Sequence, residues 1–411
     1  MPPRSRSHAA PSSKPRSTSQ KAALRRPNES MFGFKVSVHA DMADLADVWP
    51  TMAELADASG YAFQARDLLE VWLSTIGAAR GTQACLVRVD AMDGEPLMLI
   101  PLGIEIRWGA GVLGFLDGGV VDYNAPIMLS KSERLNRRTT AALWRQICAA
   151  LPPFDVVLLD KMPEMAGDVP NPLRWIATGP AIASGHELAL KGTWEHDGVN
   201  RLRHAQDSRR QRRRLNEVAP IRFAIAEMPD ELERAYDTMI RQKRRRYIET
   251  RGADGFDRPG YRSYFRAMTD RFAATGEVQI AVLYAGDTII ATNWGVVAGG
   301  RLYLLMPTFE TGEWRRFSTG RLLIEDLIAW CYGRGIRVFD FGVGDEAYKD
   351  NFGADKVPLF RASIATTRRG AAYLAALAIR EAVARSSAGQ PVKRGRAGIY
   401  AFLNRLRAQK R

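Results

Sequence analysis

Seven consecutive residues, Arg315, Arg316, Phe317, Ser318, Thr319, Gly320 and Arg321, stand between a run that reads as a strand and a run that reads as an amphipathic helix. The first turn of a helix presents N–H groups with no intrahelical partner, together with the positive end of the helix dipole. Phosphate oxygens suit that environment, a glycine lets the backbone come close to them, and flanking arginines add charge-assisted hydrogen bonds. An ordinary cap, with Ser318 closing its own helix and the arginines solvated, accounts for the same seven residues, and both readings stand. A second cationic feature is residues 208–215, Ser-Arg-Arg-Gln-Arg-Arg-Arg-Leu, with a further basic run at 241–246. Such runs are solvated helix faces or anion sites. Stacking on nucleic-acid bases would call for aromatics between the charges, and 208–215 has none. The five histidines (His8, His39, His186, His196, His204) show no i, i+4 pair and no cysteine partner, so no metal site is expected. Gly-x-Ser-x-Gly and Walker-type loops are missing. Gly342-x-Gly344 lacks the third glycine of a dinucleotide fingerprint, and Asp340-Phe341-Gly342 lacks the other kinase motifs.

The elements that would position these residues follow from hydrophobic period and punctuation. Residues 221–225 read as a strand, 229–248 as a helix opened by Pro229-Asp230, and 259–274 as a second helix. Strands follow at 278–284 and 288–297, split by the hairpin signal Ala285-Gly286-Asp287, and at 301–306. A helix over 318–332 carries Leu323, Leu327 and Trp330 on one face and stops at Gly333 and Gly335; strands at 336–341 and 358–365 close the series. The first half repeats the order more weakly. It has a strand at 33–39, helical periods at 42–56 and 65–76, a hairpin of 84–90 with 96–106, a helix at 132–150 and a strand at 154–160. Two related α/β domains in tandem are expected, joined near residues 190–207. The boundaries are a disordered basic arm at 1–30, domains at 31–195 and 196–367, and a basic, partly helical tail at 368–411.

With 411 residues, 46% of them apolar, nine Trp and sixteen Phe, the chain can build real cores, and wholesale disorder is excluded. Three scattered cysteines (Cys85, Cys148, Cys331) make no disulfide framework and suit a reducing, cytoplasmic setting. No apolar stretch is long enough to span a membrane. The net charge of +14 invites a nucleic-acid reading until it is located. Residues 1–30 carry seven Lys/Arg against one acid and residues 368–411 eleven against one, so the two ends hold +16 around a body of −2. Nucleic acid is therefore not the expected partner. The tail, with Ile399, Phe402, Leu403 and Leu406 at helical spacing among arginines, suits a peripheral contact with an anionic membrane or a protein; packing back on its own body is the alternative.

The order strand, two helices, three strands, helix, strand resembles the GNAT acyltransferase fold. Arg315-x-x-Ser318-x-Gly320 is similar to the Arg/Gln-x-x-Gly-x-Gly/Ala loop with which that family binds the pyrophosphate of acyl-CoA, with Ser318 in place of the first glycine. Further short motifs resemble the BioF-like or CelD-like acetyltransferase subfamily. They are Asp122-Tyr-Asn-Ala-Pro126, Phe154-Asp155, the 208–215 run, Lys243, Phe317 to Leu323, Asp340 to Lys349, and Phe352, and they cover about residues 32–366. FemAB-type transferases are related tandem folds. The fold class is therefore α/β, a mixed sheet of α+β type in tandem GNAT-like acyl-CoA N-acyltransferase domains.

The resemblance implies an acyl-CoA-dependent N-acetyltransferase that moves an acyl group from acetyl-CoA or another acyl-CoA to an amine or hydroxyl of a small molecule, glycan or amino sugar. It also implies a link to cell-envelope or exopolysaccharide metabolism, although the cellulose-related subfamily label fixes no substrate. Arg315, Arg316, Ser318, Thr319, Gly320 and Arg321 would hold the cofactor. Thioester aminolysis needs a base for the nucleophile and an acid for the thiolate. Tyr348 is the first choice for the acid, and Asp345 or Glu346 for the base. Lys349 would hold a phosphate or carboxylate, Asp122 an amine acceptor with Tyr123 as a wall, and Lys243 completes the substrate set. A structural turn at 340–349 and a capped loop at Asp122 are the plain alternatives. The arginine run would bind an anionic acceptor, bind CoA phosphate, or bridge the halves by ion pairs. Aminoacyl transfer from aminoacyl-tRNA, or a non-catalytic scaffold in polysaccharide synthesis, are the other functions the resemblance leaves open.

Overall fold

The computed structural model describes residues 33–57, 60–131, 134–199 and 202–385. The basic arm and the far end of the tail, including Ile399 to Leu406, lie outside the described residues, as does Ser132. In chain order the strands are β1 Phe34–His39, β2 Gln83–Ala91, β3 Pro96–Arg107, β4 Ala110–Phe115, β5 Ile127–Met128, β6 Val156–Met162, β7 Met165–Ala166, β8 Val169–Pro170 and β9 Ala183–Ala189. They continue with β10 Ile221–Ile225, β11 Val278–Ala285, β12 Thr288–Ala298, β13 Arg301–Phe309, β14 Val338–Val343 and β15 Asp355–Ala365. The α-helices are α1 Arg66–Trp72, α2 Arg137–Ala150, α3 Ala205–Val218, α4 Pro229–Arg251, α5 Tyr261–Phe272, α6 Thr319–Gly333 and α7 Arg368–Arg385.

One mixed sheet of thirteen strands runs β1-β2-β3-β4-β6-β15-β9-β14-β13-β12-β11-β10, with β5 beside β3. Each half contributes an antiparallel meander that ends in one short parallel pairing. In the first half β4 meets β6 only at Val112↔Val156 and Leu113↔Val157. In the second, β13 meets β14 only from Arg301↔Val338 to Tyr303↔Asp340. Beyond those residues the parallel strands part, so each half contains a wedge whose inner backbone groups no strand satisfies. Two strands join the halves. The start of β15 pairs with β9 and its end with β6, while β9 also pairs with β14.

The local reasons are legible. Pro229 opens α4, Asp230 and Glu231 sit in its first turn, and Gly252 ends it in the left-handed conformation. Its buried residues Ala235, Met239 and Ile240 pack with α5 on one face of the sheet. Leu322, Leu323, Leu327, Ile328 and Cys331 of α6 cover the other face against Ala281, Leu283 and Phe339. Each such side chain removed from water contributes about 1.5–3 kcal/mol before entropy is counted. α7 packs through Tyr373 and Leu377 on Val112, Val156 and Leu158, and the Trp108 ring lies tilted against Tyr373 at 5.1 Å between centroids.

Three expectations are corrected. Residues 42–56 do not form one helix: short 3-10 turns at Met42–Leu45 and Glu54–Asp57 flank Pro50, whose ring cannot sit in a helix interior. The helix expected at 132–150 begins at Arg137, where Asn136 forms a reciprocal capping box with Thr139. β4, β9 and α3 are elements that hydrophobic period did not mark.

Candidate active site

The loop between β13 and α6 is a 3-10 turn, Gly312–Phe317, followed by Ser318 with φ 56° and ψ 40°. Ser318 thus adopts the left-handed conformation for which a glycine is the usual residue, at a cost of about 1–2 kcal/mol. Among the described residues the N–H groups of Thr319 and Gly320 have no hydrogen-bond partner, and the Ser318 side chain caps nothing. The hydroxyl of Thr319, 1% exposed, is also unpartnered. A Cβ on Gly320 would come within 2.9 Å of Phe309 Cδ1, so no larger residue fits at the mouth of the loop. Arg315 and Arg316 are exposed, with Arg316 over the Phe317 ring at 4.7 Å, and Arg246 of α4 lies 5.7 Å over Phe309. Orphan donors, cations and a close-approach glycine are chemically suited to a diphosphate. Arg321 faces elsewhere, pairing with Asp207 at 2.5 Å.

The arginine run is the helix α3, and most of its contacts are structural. Arg212 reaches Asp326 at 2.9 Å and Glu325 at 3.4 Å, and Ser208 donates its hydroxyl to Glu325. These pairs fasten α3 to α6. Arg209, Arg213 and Arg214 remain exposed, with Arg214 lying 5.9 Å over Phe317.

The wedge between β13 and β14 begins below this loop. β13 carries one extra residue, Leu305, between the pairs Trp294↔Met306 and Gly295↔Leu304. A bulge of this kind leaves backbone groups unpaired and aims them out of the ladder. At the end of β14 the polar groups of both halves converge. Asp122, half-buried, accepts the Val343 N–H. Gly342 has φ 71°, and a Cβ there would lie 2.3 Å from Asp122 Oδ2, so the carboxylate rests directly on backbone. Burial and the charge of Asp340 push Asp122 up to about 6, against the opposing pull of Lys161 and Lys349. Across from it stands Lys243 of α4, pushed down to about 8 by burial and by Arg251 and Arg246, while Glu346 and Asp122 act in the other direction. Tyr348 lies in the field of both Glu346 and Asp122, its hydroxyl held protonated by burial, with no hydrogen-bond partner among the described residues.

The other expected residues have visible occupations. Lys349, 1% exposed, donates to the carbonyls of Gly342 at 3.0 Å and Gly344 at 2.8 Å and pairs with Glu346 at 3.0 Å. Its ammonium braces the turn that carries Tyr348. Asp345 is exposed and lies 3.8 Å from Nε2 of the buried His186. Tyr123 turns away from the cleft: it donates to Asp340 at 2.8 Å and stacks on Tyr61 at 4.7 Å. Arg301 completes that buried cluster, 2.7 Å from both Asp340 and Glu187. Arg301, Glu187, His186 and the Leu305 bulge were not singled out from sequence. A lone arginine at a strand start and a Ser-Gly-His-Glu tetrapeptide carry no signal before the pairing is known. An open cleft of about 590 Å³, lined by Arg234, Arg241, Glu310 and Trp314 among others, shares no residue with the Asp122–Tyr348 cluster. Of its carboxylates, Glu310 is held below the usual carboxylate range by Arg245 and Gln242, against the effect of burial.

Residues 203–350 match the sequence profile of the acetyltransferase (GNAT) domain. No curated protein matches the sequence. Among solved structures, FemX superposes with a TM-score of 0.54 at 11% identity, covering 80% of this chain and 97% of that one. The DUF2156 domain of a putative lysylphosphatidylglycerol synthetase from Agrobacterium fabrum gives 0.47 at 11% identity, over 77% and 96% of the two chains. A tandem GNAT protein from the clavulanic acid biosynthesis pathway gives 0.44 at 14% identity, over 80% and 98%.

Proposed function

We propose that this chain, whose second half carries a GNAT acetyltransferase domain, transfers an acyl group from acetyl-CoA or another acyl-CoA to an amine or hydroxyl acceptor. The observation that carries the reading is the left-handed Ser318, which frees the Thr319 and Gly320 N–H groups beside Arg315 and Arg316 at the mouth of the β13/β14 wedge. Those residues fit the diphosphate of acyl-CoA, and the wedge gives an extended thiol arm a path between two strands. Bound acyl-CoA supplies a thioester carbon open to attack and a thiolate that can leave. The backbone groups that the Leu305 bulge leaves out of the ladder are the donors available for developing charge on the carbonyl oxygen. Tyr348, protonated and unpartnered, supplies the proton the thiolate takes. The acceptor enters over Lys243 and Asp122, where a base among the cleft carboxylates receives its proton. The buried thiols of Cys85 and Cys331, pushed up by burial, are unsuited as nucleophiles, which favours direct transfer. An amino sugar or other envelope-polysaccharide precursor is the acceptor class we favour.

Isothermal titration with acetyl-CoA tests this. Binding should weaken at least tenfold in Gly320→Asp and Arg315→Ala. A well-folded protein that binds no acyl-CoA overturns the reading. The exposed Arg209, Arg213 and Arg214 support a second reading, aminoacyl transfer from aminoacyl-tRNA, in which tRNA binding would fall steeply with salt.

A further inference from the structure

A base for acyl transfer has to stand beside the wedge, be free of a contacting cation, and hold a proton affinity not far below neutrality. The two carboxylates expected from sequence as the base, Asp345 and Glu346, are not placed for it. Asp345 is exposed and turned toward His186, 3.8 Å away. Glu346 is exposed and held by Lys349 at 3.0 Å. A third carboxylate comes from the other half of the chain. Asp122 follows the glycine turn at Gly118 and Gly119, and its carboxylate lies on the backbone of Gly342 and Val343. That backbone is where β14 has already parted from β13. Two features hold it there. Val343 donates its N–H to the carboxylate, and the missing Cβ of Gly342 leaves the space its Oδ2 occupies. A third, Lys161, fixes the preceding residue by donating to the Val121 carbonyl while paired to Asp117 at 2.8 Å. Among the described residues no salt bridge joins Asp122 to a cation at contact distance.

We infer that Asp122, contributed by the first half, is the general base for the reaction performed at the phosphate loop of the second half, so that the active site is complete only where the halves meet. The inference rests on the acyltransferase reading. In the step, the Asp122 carboxylate takes a proton from the acceptor N–H or O–H as the acceptor lone pair forms a bond to the thioester carbonyl carbon. The C–S bond breaks with its electron pair leaving on sulfur, and the Tyr348 hydroxyl gives its proton to that thiolate. The proton on Asp122 then returns to the Tyr348 oxygen through solvent. The net change is one C–S bond and one N–H or O–H bond exchanged for one C–N or C–O bond and one S–H bond. The groups that set the protonation of Asp122 come from the elements around it: Lys161 of β6, Asp340 and the Val343 N–H of β14, and Lys349 and Tyr348 of the following turn. Lys243 of α4 completes the set. Burial dominates, opposed by Lys161 and reinforced by Asp340, and leaves the carboxyl at about 6, where it is ionised at neutral pH yet still basic.

The test uses the full chain with saturating acetyl-CoA and two nucleophiles that are always available, water and hydroxylamine. Thiol release is followed from pH 5 to 9, and acetyl-CoA binding is titrated on the same preparations. Hydroxylamine is uncharged at neutral pH and needs little help from a base, so it separates a missing base from a damaged fold. Wild-type hydrolysis should rise through pH 6 and level off. Asp122→Asn should bind acetyl-CoA as tightly, lose at least 100-fold in hydrolysis together with the limb at pH 6, and lose less than tenfold with hydroxylamine. The limb should survive in Asp345→Asn and Glu346→Gln. An Asp122→Asn protein that keeps the limb, or a wild type that binds acetyl-CoA and releases no thiol to either nucleophile, overturns the inference alone. Absence of acetyl-CoA binding by wild type fails the acyltransferase reading instead.

Discussion

Tyr123 donates its hydroxyl proton to Oδ1 of Asp340 at 2.8 Å across 217 positions of sequence, and both side chains are buried. The contact joins the two halves in their common interior rather than at a surface. Gly185 of β9 is what lets the tyrosine in, since a Cβ there would lie 2.3 Å from its hydroxyl oxygen. Asp340 also accepts the Gly342 N–H at 2.8 Å and the Arg301 guanidinium at 2.7 Å, and Arg301 binds Glu187 of β9. The same residues that seal the seam therefore set the course of the backbone under Asp122.

Removing the cation from this cluster should be costly and dependent on pH. Arg301→Met leaves Asp340 buried without a counter-charge, and a loss of about 3–5 kcal/mol is expected in urea unfolding. Burial already raises the Asp340 pKa in the native state, with Arg301 as the largest opposing influence. An acid whose folded pKa lies above its unfolded value costs little at low pH and more as pH rises. The Arg301→Met penalty should accordingly be smaller at pH 5 than at pH 8. Tyr123→Phe, which keeps the cation, should lose only about 1–3 kcal/mol.

The elements of the second half were legible because their boundaries are written in local chemistry: Pro229 and Gly252 around α4, the Ala285-Gly286-Asp287 turn, and the apolar face of α6. β9 was illegible for the converse reason. Its Ser184, Gly185, His186 and Glu187 have no β-branched alternation, and their strand exists because β14 and β15 supply partners on both sides. In the site, type and spacing left a phosphate loop and an ordinary cap both open at Ser318 and Gly320, and the structure shows that the Ser318 side chain caps nothing, whereas the extra residue Leu305 is defined only by register against β12. The braced state of Lys349 was hidden too, because nothing local shows that its ammonium turns back on Gly342 and Gly344. Of the arginine run, sequence shows the charge but not which member is used: Glu325 and Asp326, the partners of Arg212, lie more than a hundred positions away.

Ser318 makes a prediction opposite to the usual effect of a helix-cap substitution. Because its side chain caps nothing and its backbone is left-handed, Ser318→Gly removes strain of about 1–2 kcal/mol while adding about 0.5–1 kcal/mol of chain entropy to the unfolded state. Thermal unfolding should show a protein as stable as wild type or up to about 1 kcal/mol more stable, with acetyl-CoA affinity retained. Ser318→Val, β-branched in the same conformation, should lose both stability and affinity.

The arginine run should divide sharply on substitution. Arg212→Ala removes the cation paired with Asp326 and the nearer of the two cations beside Glu325, 4% exposed, leaving Arg321 at 4.0 Å, and should cost up to about 3–5 kcal/mol. Burial already raises the pKa values of Glu325 and Asp326, so this penalty too should shrink as pH falls. Arg213→Ala, an exposed neighbour on the same helix, should stay within about 0.5 kcal/mol of wild type. Denaturation of the two single variants side by side checks the division, and equal losses would remove the structural role assigned to Arg212.

Lys243 sets stability against function in one residue. Its native pKa, pushed down to about 8, lies below the value of about 10.4 for a lysine in an unfolded chain. The unfolded state therefore binds the proton more tightly, and wild-type stability should rise with pH between about 8 and 10. Lys243→Met abolishes that dependence. At pH 7 the variant should be about 1–2 kcal/mol more stable than wild type, a figure reduced from the full shift because the side chain is only half-buried. The advantage should vanish above about pH 10. Under the proposed function, acyl transfer should fall in the same variant, chiefly through the acceptor's KM, since the lysine lies within the field of Asp122 and Glu346. Unfolding curves from pH 6 to 10.5 and steady-state kinetics on one preparation test both halves. A variant that gains stability at pH 7 without losing activity would show the lysine to be strained by its surroundings but unused by the reaction.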